Sequence, residues 1–270
     1  MELGDIANVY DLRGDAAMRS IHSNGALSDI HAARSKPAAR TPFEFLQSQI
    51  PKAKSADARF LDMCCGTGMF SVYPLTLGYA VEAVDIAAKS VAATQARFKS
   101  LEIEEGKATA VHRDVIDHLS ANPNRYDVIQ CMAGLYYLRE KDVFQKVVAA
   151  LKPGGMFLGV ETSGDNPFSA WARAFRHWRF GDRDHATVTH LLGRADLKRL
   201  SACFDGVKIY PLDGCALMAA AISPSSAWCR RIYGLGRALD GVLLALPAAH
   251  VLAFRYGYVG YKPGAERVLT

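Results

Sequence analysis

The chain has 270 residues, 50% of them hydrophobic and 22% charged, with a formal net charge of +5. That length and apolar fraction support one large α/β domain with a sizeable buried core, and the small excess of Lys and Arg is far from the footprint of a dedicated nucleic-acid binder. Six cysteines without a Cys-x-x-Cys pair or His/Cys metal spacing, and a start (Met1-Glu2-Leu3-Gly4-Asp5) with neither basic residues nor an apolar signal core, lead us to expect a reduced, cytoplasmic protein without a metal.

Residues 1–55 are polar and helix-leaning. Asp15 to His22 and Thr41 to Leu46 read as helical pieces, the second with Thr41 as N-cap and Pro42 at the first helical position. The first strand signal follows in Leu61-Asp62-Met63-Cys64-Cys65-Gly66-Thr67-Gly68-Met69-Phe70, an apolar run with an acid, then Gly-x-Gly, then a helix. Glycine at 66 and 68 lets the chain turn through angles that a side chain disfavours and lets a ligand lie on bare backbone beside a helix N-terminus. Position 71, where a dinucleotide fingerprint has its third glycine, is Ser71.

A second run, Ala80 to Asp85, also ends in an acid, placed to take the hydroxyls of a ribose. Helix Ala88 to Leu101 follows, with Val91, Ala92, Phe98 and Leu101 as its buried side. The third run, Ala108 to His112, leads to Arg113-Asp114-Val115, an acid beside an apolar residue that suits an adenine edge and face. Taken singly, Asp114 reads as a helix N-cap, Asp85 equally as turn former or ligand, and Asp62 as a ligand. Together, at successive strand ends after a glycine turn, they favour a cofactor. Tyr126 to Cys131 reads as a fourth strand, Asp142 to Leu151 as a helix stopped by Lys152-Pro153-Gly154-Gly155, and Met156 to Val160 as a fifth strand. The alternation implies a mostly parallel sheet with helices on both faces.

These motifs resemble the class I S-adenosylmethionine-dependent methyltransferases of the broad small-molecule type, closely over residues 56–162 and by topology elsewhere. Asp62, Gly66 and Gly68 match that family's Asp-x-Gly-x-Gly-x-Gly turn, with Cys64 where its first glycine stands. A small Cys fits there provided that the backbone angle is not positive. The resemblance implies a Rossmann-like sheet of seven strands with one antiparallel, and S-adenosylmethionine as cofactor. It places Asp85 at the ribose, Asp114 and Val115 at the adenine, and Gly66 with the neighbouring backbone at the methionine end, with Asp62, Cys64, Gly68, Ile86 and Cys131 as further candidate cofactor contacts. It also implies that residues 1–55 fold over the cofactor cleft, that 56–162 form the core, that 163–205 are an acceptor lid, and that 206–270 hold the last two strands and a helical insertion.

Within that lid, Trp171, Phe175 and Trp178 share a helical face with Arg173, Arg176 and Arg179 alongside, which reads either as plain packing with a solvated basic face or as the wall for an aromatic or lipidic acceptor bearing a carboxylate or phosphate. Strands near Phe204 to Pro211 and Ala253 to Tyr261 enclose Ser223 to Leu252, where Ile232, Leu235, Leu239, Val242, Leu243 and Leu246 recur at helical spacing. Arg237, Asp240 and Pro247 interrupt it too often for a membrane span, so core or homodimer packing ranks above contact with a membrane surface.

Methyl transfer rests largely on holding the acceptor in line, with no covalent residue needed. Candidates for a proton acceptor are His185, Tyr136 and Tyr137, and His190 stands with Tyr136, Trp171, Phe175, Arg176, Trp178 and Arg179 as a candidate acceptor contact. Met132-Ala133-Gly134-Leu135 replaces the acidic or Asn-Pro-Pro-aromatic signature of base-nitrogen methylation, and Cys131, preceded by Gln130, reads as a buried strand cysteine and not as a base-carbon nucleophile. The expectation is a small-molecule methyltransferase. Alternatives are methylation of a membrane-associated lipid or quinone precursor, and a non-catalytic Rossmann-like binding protein.

Overall fold

A computed structural model describes residues 3–104, 106–138, 142–168, 171, 191–214, 216 and 227–263. Three helices, α1 (Leu3–Asn24), α2 (Ala26–Arg34) and α3 (Pro37–Gln49), precede the sheet. Strands β1 (Arg59–Met63), β2 (Ala80–Asp85), β3 (Ala108–His112) and β4 (Tyr126–Met132) follow, with α4 (Val72–Thr76), α5 (Ala88–Ser100) and α6 (Val115–Ala121) between them. After β4 come a short 3-10 turn (Leu135–Tyr137), α7 (Val143–Ala150), β5 (Leu151–Thr162), α8 (Arg194–Cys203), β6 (Asp205–Leu212), α9 (Ala227–Leu243) and β7 (Arg255–Tyr261).

The seven strands form one sheet in the order β3-β2-β1-β4-β5-β7-β6. All neighbours up to β5 run parallel, and β7 is antiparallel to both β5 and β6. The period of two along each strand feeds two apolar layers. Phe60, Val81, Val128 and Leu158 pack with Phe45, Leu46 and Phe98 on one face. Leu61, Met63, Ile129 and Phe157 pack with Leu119, Val147 and Leu200 on the other. Strand order reverses between β1 and β4, so the loops after them diverge and leave a crevice at the C-terminal sheet edge.

Three local expectations are corrected by tertiary bonds. Helix α3 begins at Pro37, not at Pro42, which lies inside it, and the Thr41 hydroxyl does not cap but donates to Asp213 Oδ1 at 2.6 Å. On α5, Ala92 is exposed and Leu101 only half-buried, while Ser90, Thr94 and the whole of Arg97 face inward beside Val91 and Phe98. On α9 the apolar repeat does not meet the core: Leu235, Leu239, Val242 and the following Leu246 are exposed.

Candidate active site

Backbone shape comes first. Cys64, Gly66 and Gly68 have φ of +57°, +53° and +71°, so the turn after β1 is left-handed at three places within five residues. Two of them are glycine, as such angles favour. Cys64 is not, which corrects the expectation for that position: the angle there is positive, and a cysteine holds it at a cost of roughly 1 kcal/mol. Gly68 is required a second way, since a Cβ on it would come within 2.6 Å of the Thr94 side chain of α5.

The strand-end acids hold this turn. Asp85 accepts the Gly66 N–H through Oδ2 at 2.8 Å and the Ala87 N–H through Oδ1 at 2.9 Å, and burial raises its pKa. Asp62 accepts the Ser71 hydroxyl, and burial, outweighing that bond, pushes its carboxyl up to about 7. Ser71, at the position of a dinucleotide fingerprint's third glycine, is thus an anchor for the first acid. Asp114 is the N-cap of α6, its Oδ1 accepting the Ile116 N–H at 2.7 Å.

Around this turn lies a cavity of about 560 Å³. Its lining includes Asp62, Cys64, Gly66, Asp85, Ile86, Asp114 and Val115 at the strand ends, and Met132, Ala133, Gly134, Tyr136 and Tyr137 after β4. Gly68 and Cys131 are not among the lining residues. Gly68 supports the turn from behind, and Cys131 is fully buried beside Cys64, which corrects both as direct contacts.

The remaining wall was not singled out from the sequence. Helix α1 lies against α5 and contributes Tyr10, Arg13, Ala16, Ala17 and Ser20, while Asp29, Lys36 and Phe70 close the far end. Tyr10, Arg13, Ala17 and Ser20 recur at helical spacing, the signal that would have marked them as one face. The Tyr10 and Tyr137 hydroxyls are 3.3 Å apart, the Tyr136 and Tyr137 rings 4.3 Å, and the Arg13 guanidinium sits 4.7 Å from the centre of the Tyr10 ring. Burial, with Tyr10 and Tyr137 beside it, pushes the Tyr136 phenol well above its ordinary value, so at neutral pH it is a hydrogen-bond donor and not a base.

Two buried ionisable side chains brace the walls. Arg97 of α5 is 0% exposed, and it donates to Thr67 O of the turn at 3.0 Å, Ala26 O at 3.3 Å and Asp29 Oδ2 at 2.7 Å. It ties the glycine turn to helix α2. Burial pushes the Asp29 carboxyl up, but bonds from Arg97 and Ser20 outweigh it and hold the pKa below its usual value. Glu161, near the end of β5, is the fourth strand-end acid, and it lies one residue beyond the apolar run that ends at Val160. Its Oε1 accepts the Gly134 and Leu135 N–H groups, both at 2.9 Å, so it fixes the turn that carries Tyr136 and Tyr137. Burial raises its pKa to about 8.

Of the acceptor residues expected in the lid, Trp171 is exposed and does not line the cavity. Phe175, Arg176, Trp178, Arg179, His185 and His190 lie outside the described residues.

With this geometry in place, comparison with known proteins decides the family. A model described as "Methyltransferase domain" matches residues 32–204. The chain belongs to the methyltransferase-domain family. It is 29% identical over 115 residues to the uncharacterized methyltransferase YodH of Bacillus subtilis, covering 43% of this chain and 48% of that protein. To the ubiquinone biosynthesis O-methyltransferase of Sodalis glossinidius it is 33% identical over 116 residues, covering 42% of this chain and 44% of that protein. The matched stretch therefore spans less than half the length of these curated relatives. In fold, the chain is similar to geranyl diphosphate C-methyltransferase from Streptomyces coelicolor, with a TM-score of 0.55 at 14% identity over 90% of this chain and 83% of that one. A SAM-dependent methyltransferase from Archaeoglobus fulgidus gives 0.52 at 19% identity, over 86% and 96%.

Proposed function

We propose that this methyltransferase-domain protein transfers a methyl group from S-adenosylmethionine to a small-molecule acceptor with a flat aromatic or hydrophobic body and an anionic group. The residues present fit the cofactor: a glycine turn of bare backbone, a buried carboxylate on the Gly66 amide, and the Asp114-Val115 pair all line one cavity. Asp85 and Ile86 would hold the ribose, Asp114 and Val115 the adenine, and Asp62 with the backbone of 64–67 the methionine end. When bound, the cofactor supplies an electron-poor methyl carbon on sulfonium sulfur.

The chain's own part is to place the acceptor and keep water out. One observation carries the acceptor class: Tyr10, Phe70, Tyr136 and Tyr137 share the cavity with the cations Arg13 and Lys36. Aromatic walls contribute buried area, and a guanidinium orients a carboxylate or phosphate. The lid residues of the sequence reading are not needed for this assignment. Tyr136, held protonated, donates a hydrogen bond toward the acceptor and is not its base, so a phenolic acceptor reaches the site already ionised.

A second reading, methylation of a membrane-associated lipid or quinone precursor, is favoured by the likeness to ubiquinone biosynthesis O-methyltransferases. Cys64, Cys65, Cys131 and Cys203 are free thiols, in keeping with the cytoplasmic setting that we propose.

Titration calorimetry should show S-adenosylhomocysteine binding and no NAD binding; the reverse would overturn the cofactor. Transfer of radiolabelled methyl to 3,4-dihydroxybenzoate, with none to neutral polar catechol analogues, supports the first acceptor class. Transfer only to prenylated phenols supports the second.

A further inference from the structure

Helix α9 is turned the opposite way from an ordinary surface helix. Arg237 faces the body of the protein and pairs twice with Glu44 of α3, through Nη1 at 3.0 Å and Nη2 at 2.7 Å. Asp240 is buried and accepts the Gly214 N–H at 2.9 Å and the Ala216 N–H at 3.2 Å. Gly236 lies so close to this loop that a Cβ on it would come within 2.7 Å of Ala216 Cα. These bonds fix the rotation of the helix, and it cannot roll its leucines inward.

What remains outside is apolar throughout. From Gly234 to Ala248 every exposed residue is glycine, proline or a hydrocarbon side chain. Leu235, Leu239, Val242 and Leu246 are 66%, 54%, 74% and 58% exposed. Isolated exposed leucines are ordinary, whereas a continuous apolar face marks a docking surface.

We propose that this face binds a second copy of the chain, α9 against α9 across a two-fold axis. Shape is the first argument. Leu235, Leu239 and Val242 make a ridge, and Gly234, Ala238 and Gly241 beside it make a groove. A helix that carries ridge and groove side by side is complementary to itself when crossed by its twin, as a two-fold interface requires. Charge is the second. The exposed side from 234 to 248 has no charged group, so a self-contact opposes no like charges, while a bilayer-docking helix needs a basic polar face and here the polar face is turned inward onto Glu44 and the 214–216 loop. Area is the third: two such faces bury on the order of 1,000 Å² in total, the lower bound for a specific interface. Area does not fix affinity, but with no polar anchor on this face the proposed dimer is a weak one, with a dissociation constant on the order of micromolar.

Sedimentation velocity of the full chain over roughly 1 to 100 μM, the range around a micromolar constant, should show monomer passing to dimer with concentration. Leu239→Glu and Val242→Glu should each stay monomeric throughout, at wild-type melting temperature and with wild-type S-adenosylhomocysteine affinity, because both side chains are exposed. A wild type that stays monomeric over this range, or a Leu239→Glu variant that dimerises as well as wild type, would overturn the proposal. So would flotation of a monomeric wild type with phosphatidylcholine–phosphatidylglycerol vesicles that Leu239→Glu abolishes, which would assign the face to a bilayer.

Discussion

Helices α5 and α9 both turn charged side chains toward the protein, with opposite results for their outer faces. On α5 a single fully buried arginine, Arg97, reaches three acceptors and leaves an ordinary mixed surface outside. On α9 a half-exposed ion pair and a buried carboxylate hold the inner side, and the leucines are left outside. Apolar periodicity alone sets neither rotation. A charge with several fixed partners outweighs a few methyl groups, because stripping those partners leaves buried polar groups unpaired.

The sharpest way to break this comparison is to remove the two arginines in turn. Arg97→Ala leaves the Thr67 and Ala26 carbonyls and Asp29 without their donor, and it should lower unfolding stability by about 3 to 5 kcal/mol. Arg97→Lys should recover little, since one ammonium cannot span the three sites. Arg237→Ala removes a pair that is 35% and 39% exposed, and screening limits its cost to about 1 kcal/mol or less. Urea denaturation of the variants decides, and equal losses would mean that partner geometry around α5 carries no special weight.

Glu161 sharpens the same point, because it is a buried acid with uneven partners: Oε1 takes two backbone N–H groups, while among the described residues Oε2 has no close hydrogen-bond partner and the carboxyl meets only the Cys131 thiol besides. Its folded pKa, about 8, lies above the unfolded value of 4.5. The folded state therefore holds the proton more tightly, and stability from this group is greatest below about pH 4.5 and falls as pH rises through 8, by at most ~5 kcal/mol. Asp62, raised to about 7, adds to that decline at the lower end. Glu161→Gln keeps an acceptor for Gly134 and Leu135 without a charge, so its melting temperature should match wild type near pH 5 and exceed it near pH 8.5. A variant with the same pH slope as wild type would show that another group carries the decline.

How far the sequence revealed the site follows from the same physics. The acids at Asp62, Asp85 and Asp114 stand at the ends of apolar runs, a signal local in sequence, and they line the cavity with the glycine turn. The mostly parallel sheet of seven strands and its one opposed strand followed from the strand-helix alternation and the resemblance. Arg97, Asp29 and Tyr10 were not legible because each acts through a partner far along the chain: Arg97 with Asp29 over 68 positions, Tyr10 with Tyr137 over 127. Only tertiary folding brings such residues together. Thr41 and Pro42 misled for the converse reason, since a good local capping signal was overridden by the bond from Thr41 to Asp213 across 172 positions.

Asp85 offers a test of intermediate size, and it differs from Arg97 in that its partners are backbone amides on both sides of the cavity floor. Asp85→Ala should reduce S-adenosylhomocysteine affinity by roughly 1.5 to 3 kcal/mol, or about 10- to 150-fold. Because Gly66 and Ala87 also lose their acceptor, the free protein should lose about 1 kcal/mol of stability as well. Calorimetry and melting curves on one preparation separate the two losses. Unchanged affinity with lowered stability would make Asp85 a turn residue only.

The smallest effect belongs to Cys64, where backbone and side chain pull in opposite directions. Its φ of +57° favours glycine, while its side chain packs against the apolar layer and against Gly134, whose missing Cβ would lie 2.7 Å from Cys64 Cβ. Cys64→Gly releases the left-handed strain but forfeits those contacts and adds freedom to the unfolded chain, so stability should stay within about 1 kcal/mol of wild type. Cys64→Val keeps comparable bulk but puts a β-branched side chain at a positive φ, which should cost about 2 kcal/mol. Thermal melts of the pair decide between the two controls on this position. If valine proved as stable as cysteine and glycine far less so, packing against Gly134 and not the backbone angle would rule the turn, and the left-handed geometry at residue 64 would be a consequence of that contact.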